Sequence, residues 1–217
     1  MKIVPFALAA AVLTSPAHAA LVNVTFAAQA PGFQGSGAGF ESAALGALPG
    51  GYSEAGLSFS TSGQVRVKKP PNDGQGAFPF GDTSLQYLSV LGGSHVDINT
   101  GTATRVGFYW GSIDRYNTVE FYNGATLVGS MIGSDAAPLA ANGNQFQFAS
   151  NRHVTIFLTS GTFDRVRLSS SANSFEVDNI SAAVPEPGTW AMMLVGFGGL
   201  AMLSARTRRR QAATALA

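Results

Sequence analysis

The sequence predicts an all-β domain, an antiparallel β-sandwich of jelly-roll type, and three observations carry that expectation. Short apolar/polar alternations of period two recur along the chain, Gly, Asn and Asp punctuate them, and no stretch of the body shows a convincing amphipathic helical period. A chain that offers ten to twelve short strands and no helix must bury one face of each sheet against another sheet.

Taken in order, residues 22–26 (Val-Asn-Val-Thr-Phe) alternate cleanly and open the fold, and 57–60 and 65–68 (Val-Arg-Val-Lys) follow with the same period. Segments 85–91, 95–99 and 104–110 are next. Residues 118–122 and 127–132 flank Asn123-Gly124, where two residues that tolerate positive φ suit a hairpin turn. The set closes with 146–149, 154–159, 166–169 and 175–180. Two loops are long: 28–51, rich in glycine and nearly uncharged, and 69–83, where Phe78 and Phe80 sit among turn formers with Asp73 and Asp82 at the flanks. Those phenylalanines either present rings to a ligand or cap the sandwich.

The two ends of the chain read differently from the body. Lys2, an apolar run from Ile3 to Leu13 and Ala17-His18-Ala19 form a secretory signal at residues 1–19, so signal peptidase is expected to leave Ala20 as the mature start. At the other end, residues 189–205 lack charge and as a helix would extend roughly 26 Å, just enough to span a hydrocarbon core. Arg206, Arg208, Arg209 and Arg210 follow as a basic stop signal, which places the C-terminus in the cytoplasm and everything before Pro185 outside. Of the 13 Lys and Arg, five lie in these end segments, and of the 12 Asp and Glu only Glu186 does, which leaves 8 against 11 in the body, a net charge of −3. The apparent basicity belongs to the end segments, and nucleic-acid binding loses its compositional support. The chain has no cysteine, which excludes disulfides and Cys-based catalysis or zinc binding.

Pro185-Glu186-Pro187, then Trp190-Ala191, a short apolar segment and the Arg run resemble the PEP-CTERM sorting signal of Gram-negative bacteria, here over residues 184–217. Two prolines keep the backbone extended just before the helix, as a protease site needs. The resemblance implies recognition and cleavage by an exosortase, an inner-membrane-anchored intermediate, and a final place at the cell surface or in the extracellular matrix. An ordinary C-terminal membrane anchor is the alternative. Within the body, residues 20–183, the block Trp110-Gly111-Ser112-Ile113-Asp114-Arg115-Tyr116-Asn117 and the strand Phe175-Glu176-Val177-Asp178-Asn179-Ile180 resemble PEP-CTERM surface proteins with lectin-like bodies. That implies a galactose-binding-like sandwich without a known activity.

Enzyme chemistry is not marked. His95 and His153 lie on alternating strands, no Gly-x-Ser-x-Gly elbow exists, and His95 and Asp97 merely share a strand face. The expectation is therefore a non-catalytic binding or scaffolding module acting on polysaccharide in a biofilm matrix, with a secreted carbohydrate-active enzyme as the alternative. Trp110, Asp114, Arg115 and Tyr116 are the candidate ligand-binding residues, with Tyr116 the ring most suited to stacking on a sugar. For carboxylates two readings stay open. Glu41, Glu176 and Asp178 could converge on a structural calcium, because the resemblance to carbohydrate-binding jelly rolls implies neighbouring first and last strands and hard oxygen ligands suit that ion. Alternatively Glu176 and Asp178 face solvent or pair with Arg165 and Arg167.

Overall fold

The computed structural model describes residues 22–27, 37–82, 84–183 and 197, with side chains described from residue 37 on. The secretory signal and residues 184–217, including the expected membrane helix at 189–205, lie outside the described residues apart from Phe197. No helix among the described residues is long and apolar enough to cross a membrane.

Thirteen strands are described. They run β1 Val22–Ala27, β2 Gly46–Ala47, β3 Ser53–Glu54, β4 Leu57–Ser62, β5 Val65–Lys68, β6 Tyr87–Val90 and β7 Ser94–Ala103 in the first half. The second half holds β8 Arg105–Gly111, β9 Asn117–Asn123, β10 Thr126–Ile132, the single-turn α1 Gly133–Ala136, β11 Arg152–Leu158, β12 Phe163–Ser170 and β13 Phe175–Ala183. They form two antiparallel sheets, one ordered β1-β11-β8-β13-β6-β5-β2 and the other β10-β9-β12-β7-β4-β3. The period-two pattern explains the layering. In β5, Val65 and Val67 are buried while Arg66 and Lys68 alternate outward, and in β12 Val166 and Leu168 are buried between the half-buried Arg165 and Arg167. Inward residues of both sheets join one core, in which Trp110 stacks on Phe175 at 4.5 Å and 11° and Phe121 meets Phe163 edge-on at 5.1 Å.

Four differences from the sequence reading have local causes. Residues 146–149 are not a strand. Asn144 accepts the Phe146 N–H and Asn151 donates to the carbonyls of Asn144 and Gln147, so side chains satisfy the backbone there and no ladder forms. Two short strands, β2 within the 28–51 loop and β3 just after it, are too brief for any periodic signal. The β9–β10 turn is displaced by one residue. Asn123 stays paired with Thr126 and sends its amide to the Thr162 carbonyl, while Gly124 alone adopts positive φ, +58°. Finally, the first and last strands are not neighbours. β1 pairs with β11, and it is an isolated bridge from Ala38 to Ile180 that brings the segment before Glu41 against β13.

The outer face of the seven-stranded sheet is not left to solvent. The 69–86 segment lies across it, with Phe78 edge-on to Tyr87 at 5.8 Å and Phe80 against Phe148 at 5.0 Å. The Tyr109 hydroxyl donates to the Phe80 carbonyl at 2.7 Å, and Asn151 accepts from the amides of Phe80 and Ser112. Pro79 sits so close to Gly111 that a Cβ there would come within 2.9 Å of it. The phenylalanines of this loop are therefore a lid on β6, β8 and β13.

Candidate functional site

Covering the sheet with that segment has an electrostatic consequence on β13. Glu176 and Asp178 share a strand face, as the alternation requires, but the face is covered: they are 2% and 0% exposed. Glu176 Oε1 accepts from the Ala77 amide at 3.1 Å and from the Ser174 hydroxyl, and Oε2 accepts from the Ser112 hydroxyl at 2.7 Å. Burial pushes its pKa up, and these donors work against that rise. Asp178 lies two residues on, before a register shift in which Asn179 takes φ +53°. The Ser84 hydroxyl donates to Asp178 Oδ2, and the Asn179 amide reaches both Asp178 Oδ2 and Asp82 Oδ1 at 3.4 Å. Burial first, and the Asp82 charge second, push Asp178 up to about 9.

Glu41, expected beside these two, does something else. Its Oε1 accepts the amides of Leu85 at 2.6 Å and Gln86 at 3.0 Å, clamping the end of the covering segment. Glu41, Glu176 and Asp178 thus serve three separate sets of donors. No group of three or more His, Cys, Asp or Glu among the described residues is arranged to hold a metal ion. The calcium ligand set expected from the sequence is not assembled: Glu41 is turned to the Leu85 and Gln86 amides, Glu176 to Ala77, Ser112 and Ser174, and Asp178 to Ser84. The alternative fails as well. Arg165 and Arg167 both bind Asp97, at 3.1 and 2.7 Å, since Arg167 and Asp97 are direct cross-strand partners in β12 and β7.

A cavity of about 330 Å³ opens where the turn after β8 meets the start of β13, and the 73–76 and 142–145 segments complete its wall. Asp114, Tyr116, Ser112, Glu176, Asn173 and Gln145 supply its polar surface. Of the four residues expected to bind ligand, Asp114 and Tyr116 line it. Trp110 does not: at 0% exposure it belongs to the core, on the opposite face of β8 from Tyr109. Arg115 is exposed and is not part of the lining.

Two glycines fix Asp114. A Cβ on Gly133 would lie 2.0 Å from the Asp114 carbonyl oxygen, and one on Gly143, at φ +68°, would lie 2.7 Å from Asp114 Oδ2. The Asp114 amide donates to Asn117 Oδ1 at 3.0 Å, which closes the turn into β9. Burial raises the pKa of Asp114, and a hydrogen bond from Tyr116 opposes the rise. The Tyr116 hydroxyl also reaches the Asn173 carbonyl, and its own pKa is raised by burial and by Asp114. Sequence reasoning missed Ser112, Ser174, Asn173 and the set Asn142, Gly143 and Gln145 as cavity residues. The last carried the one available signal, a polar turn run directly before a weak strand pattern.

No curated protein sequence matches this one. Among solved structures the chain is similar to a carbohydrate-binding module from Clostridium stercorarium, CsCBM6-3, solved with cellobiose, at 14% identity, 58% of this chain, 87% of that chain and a TM-score of 0.34. It is also similar to the module CBM6cm-2 of Cellvibrio mixtus lichenase 5A, solved with cellotriose, at 14% identity, covering 54% and 92% of the two chains with a TM-score of 0.31. The catalytic unit of a GH87 α-1,3-glucanase from Streptomyces thermodiastaticus aligns at 17% identity over 67% of this chain and 29% of that one, with a TM-score of 0.30. Residues 183–210 match the PEP-CTERM protein-sorting motif, which encloses Pro185-Glu186-Pro187, Trp190-Ala191 and the Arg run through Arg210. The chain is therefore a two-sheet antiparallel β-sandwich body that carries a PEP-CTERM protein-sorting signal at its C-terminal end.

Proposed function

We propose that this chain is an exported surface or matrix protein whose sandwich, residues 20–183, binds a polysaccharide without cleaving it. The observation that carries this reading is the polar cavity beside Asp114 and Tyr116, lined by hydroxyl, amide and carboxylate groups as a polyhydroxylated ligand requires. Both oxygens of Glu176, one of the carboxylates in the cavity wall, are already engaged by protein donors, which favours a binding over a hydrolytic role for that residue. The purified full chain in detergent should bind a subset of printed polysaccharide fragments. Gln145→Trp, which fills the cavity from a partly exposed loop position, should abolish that binding while changing stability by no more than about 0.5 kcal/mol. A wild-type chain that binds no fragment, or a variant that binds as well as wild type, overturns the reading. Sugar release from the bound fragments would instead identify an enzyme.

The sorting motif supports processing by an exosortase near Pro185-Glu186-Pro187 after passage through an inner-membrane-anchored form. Intact mass of the surface form is expected to lack the segment after the motif. Recovery of a chain that still ends at Ala217 points to a permanent anchor instead.

A further inference from the structure

We propose that the cavity is open to polysaccharide while the chain is still tethered to the membrane, so that ligand capture does not wait for exosortase processing; this rests on the reading of the cavity as a glycan site. The geometry comes from one strand. β13 begins at the cavity, whose wall includes Ser174 and Glu176, and ends at Ala183, the first residue of the matched sorting motif. These two ends lie at opposite poles of the sandwich. Glu176 pairs with Gly111, where β8 ends, and Ala183 with Arg105, where it starts. At about 3.3 Å of rise per residue the length of β8 puts roughly 20 Å between them. The rest of the cavity agrees, since Ser112 and Asp114 belong to the turn that leaves β8 and Gln145 to the connection that enters β11.

At the other pole the Thr104 amide donates to the Ala183 carbonyl at 3.2 Å and the Leu158 amide to the Thr104 carbonyl at 3.0 Å, so the β7–β8 and β11–β12 turns stand beside the point where the sorting segment departs. That segment is a short tether. Residues 184–188 separate Ala183 from the uncharged run that opens at Thr189, and even at full extension they bridge only about 20 Å. The Ala183 pole is thereby held near the bilayer, and a polymer bound there would have to enter the gap between body and lipid. The cavity is spared that constraint because β13 carries the chain from it toward the membrane.

The chain has no cysteine, so a single introduced thiol reports one position. Gln145→Cys marks the cavity wall, and Ser160→Cys marks an exposed position in the β11–β12 turn at the tether pole. Each full-length variant, made without an exosortase, is labelled with a dextran-linked maleimide in detergent and again in phosphatidylcholine vesicles, where only outward-facing chains are scored. Reconstitution should leave the rate at Gln145→Cys within about twofold and slow Ser160→Cys about tenfold, an exclusion of about 1.4 kcal/mol. Slowing of Gln145→Cys as large as that of Ser160→Cys, or slowing of neither, overturns the orientation and the proposal with it. The wild-type chain supplies the second arm: the printed polysaccharide fragment that binds it most tightly in detergent should bind it in vesicles within about twofold. Loss of that binding in vesicles overturns capture by the tethered form and leaves the glycan site standing. Binding of no fragment in detergent removes the glycan reading and the proposal together, whatever the labelling shows.

Discussion

Between about pH 7 and pH 8.5 the body is expected to lose roughly 2 kcal/mol of stability, an unusual direction for a range in which most proteins are indifferent. The cause is Asp178, which burial and the neighbouring Asp82 hold protonated up to about 9, whereas the unfolded chain releases that proton near its ordinary value of 3.8. Across the interval the folded state binds more protons than the unfolded one, so unfolding becomes easier as pH rises and the effect is complete once pH exceeds the folded value. His153, whose pKa burial lowers, gives the opposite slope, but only below its ordinary value of 6.5, outside the window. Buried Glu176 is raised as well and contributes in the same direction as Asp178 to the extent that its rise reaches this range. Thermal melting across the interval should fall by about 4–8 °C for a domain of this size. Asp178→Asn, which keeps the shape and removes the titration, should flatten most of that decline and melt higher than wild type at the upper end. A wild-type curve flat with pH, or a decline unchanged in Asp178→Asn, contradicts the assignment. Melting in millimolar calcium and in chelator separates a proton from a cation as the neutralising partner: the proton reading expects equal curves.

Trp110→Ala is expected to cost about 3–5 kcal/mol, the range for removing a large aromatic from a packed core. The side chain is fully buried, stacked on Phe175 at 4.5 Å and against Phe108 at 5.8 Å, and these rings belong to neighbouring strands β13 and β8. The melting temperature should drop by about 10 °C or more. Trp110→Phe should cost much less, since it keeps an aromatic in the stack and removes an indole Nε1 that has no hydrogen-bond partner. It should leave glycan binding unchanged because Trp110 is not part of the cavity. Melting of Trp110→Ala within about 2 °C of wild type would place the ring outside the core, as a sugar platform requires.

What the sequence determined by itself is what short-range chemistry encodes. Val65-Arg66-Val67-Lys68 declares one buried face because a strand's side chains alternate, and Glu176 and Asp178 necessarily share a face for the same reason. Pro185-Glu186-Pro187 with Trp190 and the closing arginines is legible because a sorting signal is read as a linear segment. The Phe146–Phe148 alternation misled because asparagine side chains two and four residues away satisfied its backbone before any strand could. Tertiary structure alone decided what lies over the second face of the sheet. The contacts that bury Glu176 and Asp178 run to Ala77, Ser84 and Ser112, separated by 99, 94 and 64 residues. No periodicity reaches across such distances, so two carboxylates that alternation placed together became a cavity wall and a raised-pKa acid rather than a metal site. The same separation explains Trp110: alternation says that Tyr109 and Trp110 point opposite ways, but which of the two faces becomes core depends on where the other sheet packs, and only the fold supplies that.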